Sequence, residues 1–93
     1  DELVSAFHDL HKKAPVHILI VPNRHITSVN DVTPDDEAVM GRLTRVARLL
    51  AEEHGIAQTG YRLVINTGRD GGQSVFHLHM HLIGGRALPF RFE

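Results

Sequence analysis

The stretch "VFHLHMHLI", residues 75–83, alternates histidine with apolar residues and predicts the last strand of a sheet. Because successive side chains of a strand point to opposite faces, His77, His79 and His81 share one face. The opposite face carries the apolar residues Phe76, Leu78, Met80 and Leu82. We expect the apolar face to pack under a helix. The histidine face should contact a ligand or a group that interacts favourably with imidazole.

A single long helix is predicted over residues 34–54. Thr33 is a suitable N-cap, Pro34 suits the first helical position, and Gly55 is typical of the residue that follows a helix. Between these signals the apolar residues recur at the spacing of one helix face: Val39, Leu43, Val46 and Leu50. This segment has the only clear helical period in the chain.

Three further segments predict strands, namely residues 3–8, 16–21 and 61–66. The order is therefore strand, strand, long helix, strand, strand, with short connections between neighbouring strands. That order predicts an α+β fold in which one long helix packs on a face of an antiparallel sheet. We expect one domain that spans residues 1–93.

Composition limits the classes of function. The chain has 93 residues, no cysteine and a formal net charge of −1, so it carries neither disulfides nor a basic surface for nucleic acid. No apolar run approaches the ~20 residues of a membrane span, and we expect a cytoplasmic protein that contacts neither membrane nor nucleic acid. Such a short chain buries a limited core, which favours an oligomer.

The eight histidines are the unusual feature of the composition, and three explanations compete for the alternating set. The first is a solvated strand face that happens to be rich in histidine. The second is a zinc site, in which two adjacent histidines could share an ion. The outer two of the three lie about 13 Å apart along a strand, too far for all three to bind one ion. The third is phosphate chemistry, with one imidazole as nucleophile and its neighbours orienting it.

The loop before the histidines favours phosphate chemistry. The glycines of "DGGQS", residues 70–74, let backbone N–H groups approach an anion without obstruction by Cβ atoms. An ordinary hairpin turn would also explain two glycines. A glycine loop that leads into three alternating histidines is harder to explain in that way.

The string "HLHMHLIGGR" matches the histidine-triad signature, in which three histidines alternate with apolar residues. Together with "NTGRDGGQS" and "AFHDLHKKAPVHILIVPNRHI", it resembles the Hint branch of the histidine triad (HIT) superfamily over nearly the whole chain. The resemblance implies a HIT-like fold and a homodimer that binds purine nucleotides. It also implies hydrolysis of the P–N bond of nucleoside phosphoramidates, without a metal or other cofactor.

The resemblance also implies roles for individual residues. His79 would be the nucleophile that forms a covalent nucleotidyl-histidine intermediate, His77 would help to orient it, and His81 would contact the phosphate and assist the leaving group. Ser74 would lie beside the scissile bond. The nucleotide-binding positions would be Asp9 at the ribose, Phe7 and Leu10 at the base, and Asn66, Gly72 and His17 near the phosphate.

Two segments depart from the family pattern. In the family a further N-terminal stretch precedes "AFHD" and completes the base pocket, whereas this sequence begins too late to include it. The C-terminal "RALPFRFE" differs from the tails of animal members, which leaves the leaving-group specificity open.

Alternative functions are a dinucleoside polyphosphate hydrolase or nucleotidyl transferase of the same superfamily, and a nucleotide-binding regulatory module with vestigial hydrolysis.

Overall fold

The computed structural model describes residues 1–89, so the last four residues of "RALPFRFE" lie outside the described part. The elements are β1 (Val4–His8), β2 (Val16–Pro22), α1 (Glu37–Glu53), β3 (Tyr61–Val64) and β4 (Met80–Gly84). Two short 3-10 turns precede the helix, at Val29–Asp31 and Pro34–Asp36. All pairings are antiparallel, and the strand order is β1-β2-β4-β3. The predicted α+β architecture, an antiparallel sheet with one long helix, is confirmed.

The register of the strands gives the sheet two different faces. On one face, Ile18 pairs with Leu82 and Ile20 pairs with Met80. These side chains form a buried core with residues of α1: Leu43, Ala47 and Ala51. On the other face, Leu19 pairs with His81 and His17 with Ile83, so the face away from the helix carries the imidazoles.

The helix begins and ends close to the predicted residues. Its first predicted turn is a 3-10 turn, in which the buried Asp36 carboxylate accepts hydrogen bonds from the Thr33 backbone N–H (2.9 Å) and hydroxyl (3.1 Å). At the other end Gly55 has φ +72°, and the N–H of Ile56 donates to the carbonyl of Ala51 at 2.9 Å, which closes the last turn. Within residues 1–89 there is no helix long and apolar enough to cross a membrane.

The histidine strand is shorter than the sequence predicts. Its paired part begins at Met80, so His77 and His79 precede the hydrogen-bonded ladder. The reason is that β2 ends at Pro22, which has no backbone N–H and cannot donate the next hydrogen bond of the ladder. The N–H of Leu78 donates instead to Ile26 at 2.6 Å. Leu78 is buried as expected, whereas Phe76 is 60% exposed, and its predicted place in the core is wrong.

Strand β3 also ends early, at Val64 rather than at Asn66. The last paired residues of β3 and β4 are Val64 and His81, so the chain beyond Val64 has no partner in the ladder. The side-chain amide of Asn66 then donates to the carbonyl of Gly71 at 2.8 Å. The shorter strand therefore releases Asn66 to hold the loop of residues 67–74, which we call the glycine-rich loop.

Candidate active site

His79 is oriented by a backbone carbonyl. Its Nδ1 lies 2.8 Å from the carbonyl oxygen of His77. A carbonyl oxygen only accepts, so Nδ1 of His79 carries the hydrogen and donates it. In the neutral ring Nε2 then keeps its lone pair. This nitrogen is therefore ready to act as a nucleophile or as a hydrogen-bond acceptor.

His77 contributes to the site in two ways. Its carbonyl orients His79, while its own ring donates from Nε2 to the carbonyl of Pro22 at 2.9 Å. The ring also lies against that of His25, with centroids 5.1 Å apart. His77 thus ties the start of the histidine segment to the end of β2, and it orients His79 through its backbone rather than through its ring.

His81 lies in a cluster with one residue of β2 and one residue that follows β1. Its ring centroid is 5.0 Å from that of His79, and its Nδ1 lies 2.9 Å from Nε2 of the buried His17 in β2. The same Nε2 lies 3.3 Å from Oδ2 of Asp9, which follows β1. Residues far apart in the chain therefore meet beside His79, and the cluster is held together by polar contacts.

Burial and hydrogen bonding set the charges of this cluster. Burial is the main factor that lowers the pKa of His17 and the pKa of His81, and the nearby carboxylate of Asp9 opposes both shifts. The pKa of Asp9 is lowered, above all because the backbone N–H of His11 donates to its Oδ1 at 2.8 Å. At neutral pH the cluster thus holds an ionised carboxylate and two neutral imidazoles.

The same three residues, Asp9, His17 and His81, have ligand atoms within 4.8 Å of one another, the spacing of a possible metal site. However, the backbone N–H of Lys13 donates to Nδ1 of His17 at 3.0 Å. The neutral His17 ring therefore carries its hydrogen on Nε2, the atom that a metal would need. Metal-binding histidines usually donate from their second nitrogen instead. This hydrogen bonding disfavours a metal ion at the cluster.

The glycine-rich loop is held tightly against its own first residues. A Cβ on Gly71 would overlap the carbonyl oxygen of Thr67 and lie 3.0 Å from its nitrogen, so only glycine fits there. Gly72 has φ +83°, a left-handed conformation that favours glycine, and its N–H donates to Arg69 at 3.1 Å. The amide of Asn66 lies beside both glycines.

Gln73 is a residue whose importance the sequence does not reveal. Its buried side chain accepts a hydrogen bond from the N–H of Gly68 at 2.9 Å. Its amide donates to the carbonyls of Thr27 at 2.7 Å and Val75 at 3.1 Å. It therefore joins both ends of the glycine-rich loop to the segment that follows β2. No local pattern distinguishes it from Gln58, which is exposed.

The remaining predicted site residues lie nearer the surface. Phe7 pairs with Leu19, which pairs with His81, so Phe7 is on the imidazole face, two strands away. Its side chain is 51% exposed, and that of Leu10 is 94% exposed. Ser74 is exposed and immediately follows the buried Gln73. Phe7 and Leu10 leave apolar surface open at the β1 end of the site.

Comparison with known proteins agrees with this geometry. The fold and the histidine-lined face define a small α+β protein with an imidazole cluster on the sheet. Residues 1–88 match the model of the HIT domain. The chain belongs to the HIT domain family.

Individual relatives are similar over most of the chain. The purine nucleoside phosphoramidase of Escherichia coli (strain K12) is 56% identical over 88 residues, which are 95% of this chain and 74% of that protein. The crystal structure of a HIT family hydrolase from Legionella pneumophila Philadelphia 1 has a TM-score of 0.94 at 42% identity, and the match covers 97% of this chain and 80% of that one. A histidine triad protein from Clostridium difficile also has a TM-score of 0.94 at 42% identity, over 100% of this chain and 80% of that one.

Proposed function

We propose that this protein is a purine nucleoside phosphoramidase, which hydrolyses the P–N bond of purine nucleoside 5′-phosphoramidates and releases the nucleoside monophosphate. The observation that carries the proposal is the free lone pair on Nε2 of His79, beside the ring of His81. The named activity of the Escherichia coli relative, at 56% identity, supports the same reaction.

In the proposed reaction Nε2 of His79 attacks the phosphorus, and the bond from phosphorus to the amine breaks as the amine takes up a proton from solvent, with the N–H of His81 assisting its departure. The product is a nucleotidyl-histidine intermediate, which water then hydrolyses. His81 contacts the phosphoryl group, and Ser74 supplies a donor to its oxygens. Gly72, whose N–H is bonded to the carbonyl of Arg69, contributes by shaping the loop next to Ser74. The support is the position of His81 beside His79 and the constrained backbone of the loop.

The nucleotide is proposed to lie across the β1 end of the same face. Asp9 is ionised and follows β1, where a carboxylate can accept hydrogen bonds from the two ribose hydroxyls. The exposed side chains of Phe7 and Leu10 offer apolar surface to a purine base. Asn66 is proposed to act near the phosphate through the loop that it holds. The reaction as proposed needs no cofactor.

The test is turnover of adenosine 5′-phosphoramidate by the wild type, His79→Ala and His8→Ala. His8 is the matched control, because it is an exposed histidine of β1 on the opposite face from His81. We expect release of AMP by the wild type and His8→Ala, and loss of turnover in His79→Ala. Mass spectrometry of wild type quenched during turnover should show protein with one covalently attached AMP.

Other outcomes would favour the alternative functions. Preferred cleavage of diadenosine tetraphosphate over the phosphoramidate would favour the dinucleoside polyphosphate hydrolase. Binding of AMP without turnover of either compound would favour a regulatory module. Turnover by His79→Ala at the wild-type rate would contradict the role of His79 as the nucleophile.

We also propose that the protein acts as a homodimer through α1 and β3. Strand β3 is at the edge of the sheet, where an unpaired strand can pair with a second copy. Beside it, a Cβ on Gly41 of α1 would contact nothing within 4 Å, so this side of the helix is open. Sedimentation equilibrium should give twice the chain mass of 10.4 kDa. The cytoplasmic location expected from the sequence remains a prediction.

A further inference from the structure

His17 is the central residue of a chain of hydrogen bonds that ends at the proposed phosphate-binding histidine. Its Nδ1 accepts from the backbone N–H of Lys13 at 3.0 Å, and its Nε2 lies 2.9 Å from Nδ1 of His81. The His17 side chain is almost entirely buried, with 3% of the residue exposed. A residue buried to this degree acts on a substrate through its neighbours, and its neighbour here is His81.

The direction of each hydrogen bond follows from the first one. A backbone N–H only donates, so Nδ1 of His17 is the acceptor, and the hydrogen of the neutral ring is on Nε2. That hydrogen faces Nδ1 of His81 at 2.9 Å and, less closely, the carboxylate of Asp9 at 3.3 Å. Nδ1 of His81 must therefore accept. The neutral ring of His81 then carries its own hydrogen on Nε2.

The second nitrogen of His81 is open to a ligand. Among residues 1–89, Nε2 of His81 has no hydrogen-bond partner, and no buried side-chain nitrogen or oxygen lacks one. This nitrogen is consequently accessible rather than buried. The adjacent His79 has the opposite arrangement, with its hydrogen on Nδ1 and a lone pair on Nε2.

We propose that His17 is a positioning residue that fixes the tautomer of His81, so that His81 offers a hydrogen-bond donor at Nε2 to the phosphoryl group. This proposal rests on the proposed phosphoramidase function. His79 then presents a lone pair and His81 an N–H to the same phosphoryl group. Backbone atoms of His77 and Lys13 determine this assignment. The backbone thus prevents His79 and His81 from exchanging roles.

The electrostatic environment agrees with this arrangement. The groups that face His81 are the imidazoles of His79 and His17 and the carboxylate of Asp9. Burial, followed by the two imidazoles, lowers the pKa of His81, whereas Asp9 raises it to a lesser extent. His81 is therefore neutral at pH 7, and it contributes a fixed hydrogen bond rather than a positive charge.

The first test reads the tautomers directly by NMR in the full chain labelled with ¹⁵N-histidine. The ring nitrogens of a neutral histidine have distinct ¹⁵N shifts when protonated and unprotonated, which identifies the donor. A coupling across the N–H···N bond identifies the two nitrogens that it joins. We expect hydrogens on Nε2 of His17, Nε2 of His81 and Nδ1 of His79. A hydrogen on Nδ1 of His17 or of His81 would overturn the proposal.

The second test compares two substitutions that each keep half of the His17 hydrogen bonding. His17→Gln places an amide N–H near the former Nε2 and can still donate to His81. His17→Asn places an oxygen near the former Nδ1, so it can accept from Lys13 but cannot hold His81. We expect kcat for adenosine 5′-phosphoramidate to stay within about threefold in His17→Gln and to fall about tenfold in His17→Asn, less than the ~10²–10³ for outright removal of a donor.

The outcomes separate this proposal from the proposed function. Equal losses of kcat in both variants, with His81 keeping its tautomer in each, would overturn the positioning role and show that His17 has a structural role only. Wild-type turnover together with the opposite tautomers would overturn the role of His17 and leave the phosphoramidase function standing. Absence of wild-type turnover would overturn the function, and with it the catalytic meaning of the tautomers. If a variant fails to fold, the wild-type spectrum still decides.

Discussion

Replacing Gln73 by leucine tests whether one buried amide holds the glycine-rich loop. The substitution removes three hydrogen bonds, to Gly68, Thr27 and Val75. At a net value of about 1 kcal/mol each, their loss costs about 3 kcal/mol. Burying additional apolar surface offsets about 1 kcal/mol of that cost, so we expect the free energy of unfolding to fall by about 2 kcal/mol.

Urea unfolding followed by far-UV circular dichroism is a suitable assay, because the chain has no tryptophan. All samples are compared at one protein concentration, since a dimer would make stability depend on it. Gln58→Leu is the matched control, because Gln58 is exposed, and its free energy of unfolding should change by less than about 0.5 kcal/mol. Equal losses in the two variants would refute the reasoning.

Two further predictions concern the pH dependence of stability and the role of the glycine-rich loop in turnover. Burial lowers the pKa of His17 and of His81, so below the unfolded value of ~6.5 the unfolded chain binds protons that the folded chain does not. In urea titrations the free energy of unfolding should therefore fall as the pH drops from ~6.5 toward the folded pKa values. The fall should be shallower in His17→Gln, and an equal slope in both proteins would contradict this. Gly71→Ala forces a Cβ onto the carbonyl of Thr67, so turnover of adenosine 5′-phosphoramidate should fall at least about tenfold. Unchanged kcat and KM would show that the loop backbone is not part of the site.

The elements were predictable where the signal is local. The helix shows a period of 3.6 residues with end signals at Thr33 and Gly55, and both ends lie within a turn of their predicted places. The bounds of β1 and β2 lie within one residue of the predicted ones, whereas the ends of β3 and β4 were not predictable, because they depend on a neighbouring strand. Strand β4 loses its partner where β2 reaches Pro22, and β3 ends at the pair of Val64 and His81.

The sequence by itself determined the alternation that separates the imidazoles from the core, the order of the elements and the candidate residues of the site. Only the tertiary structure decided how those residues act together. His17 and His81 are 64 positions apart, and they meet because the register of β2 and β4 places them together. Which nitrogen of each ring bears the hydrogen depends on backbone groups of Lys13 and His77. Such contacts are set by the folded backbone, and residue types along the chain do not encode them locally.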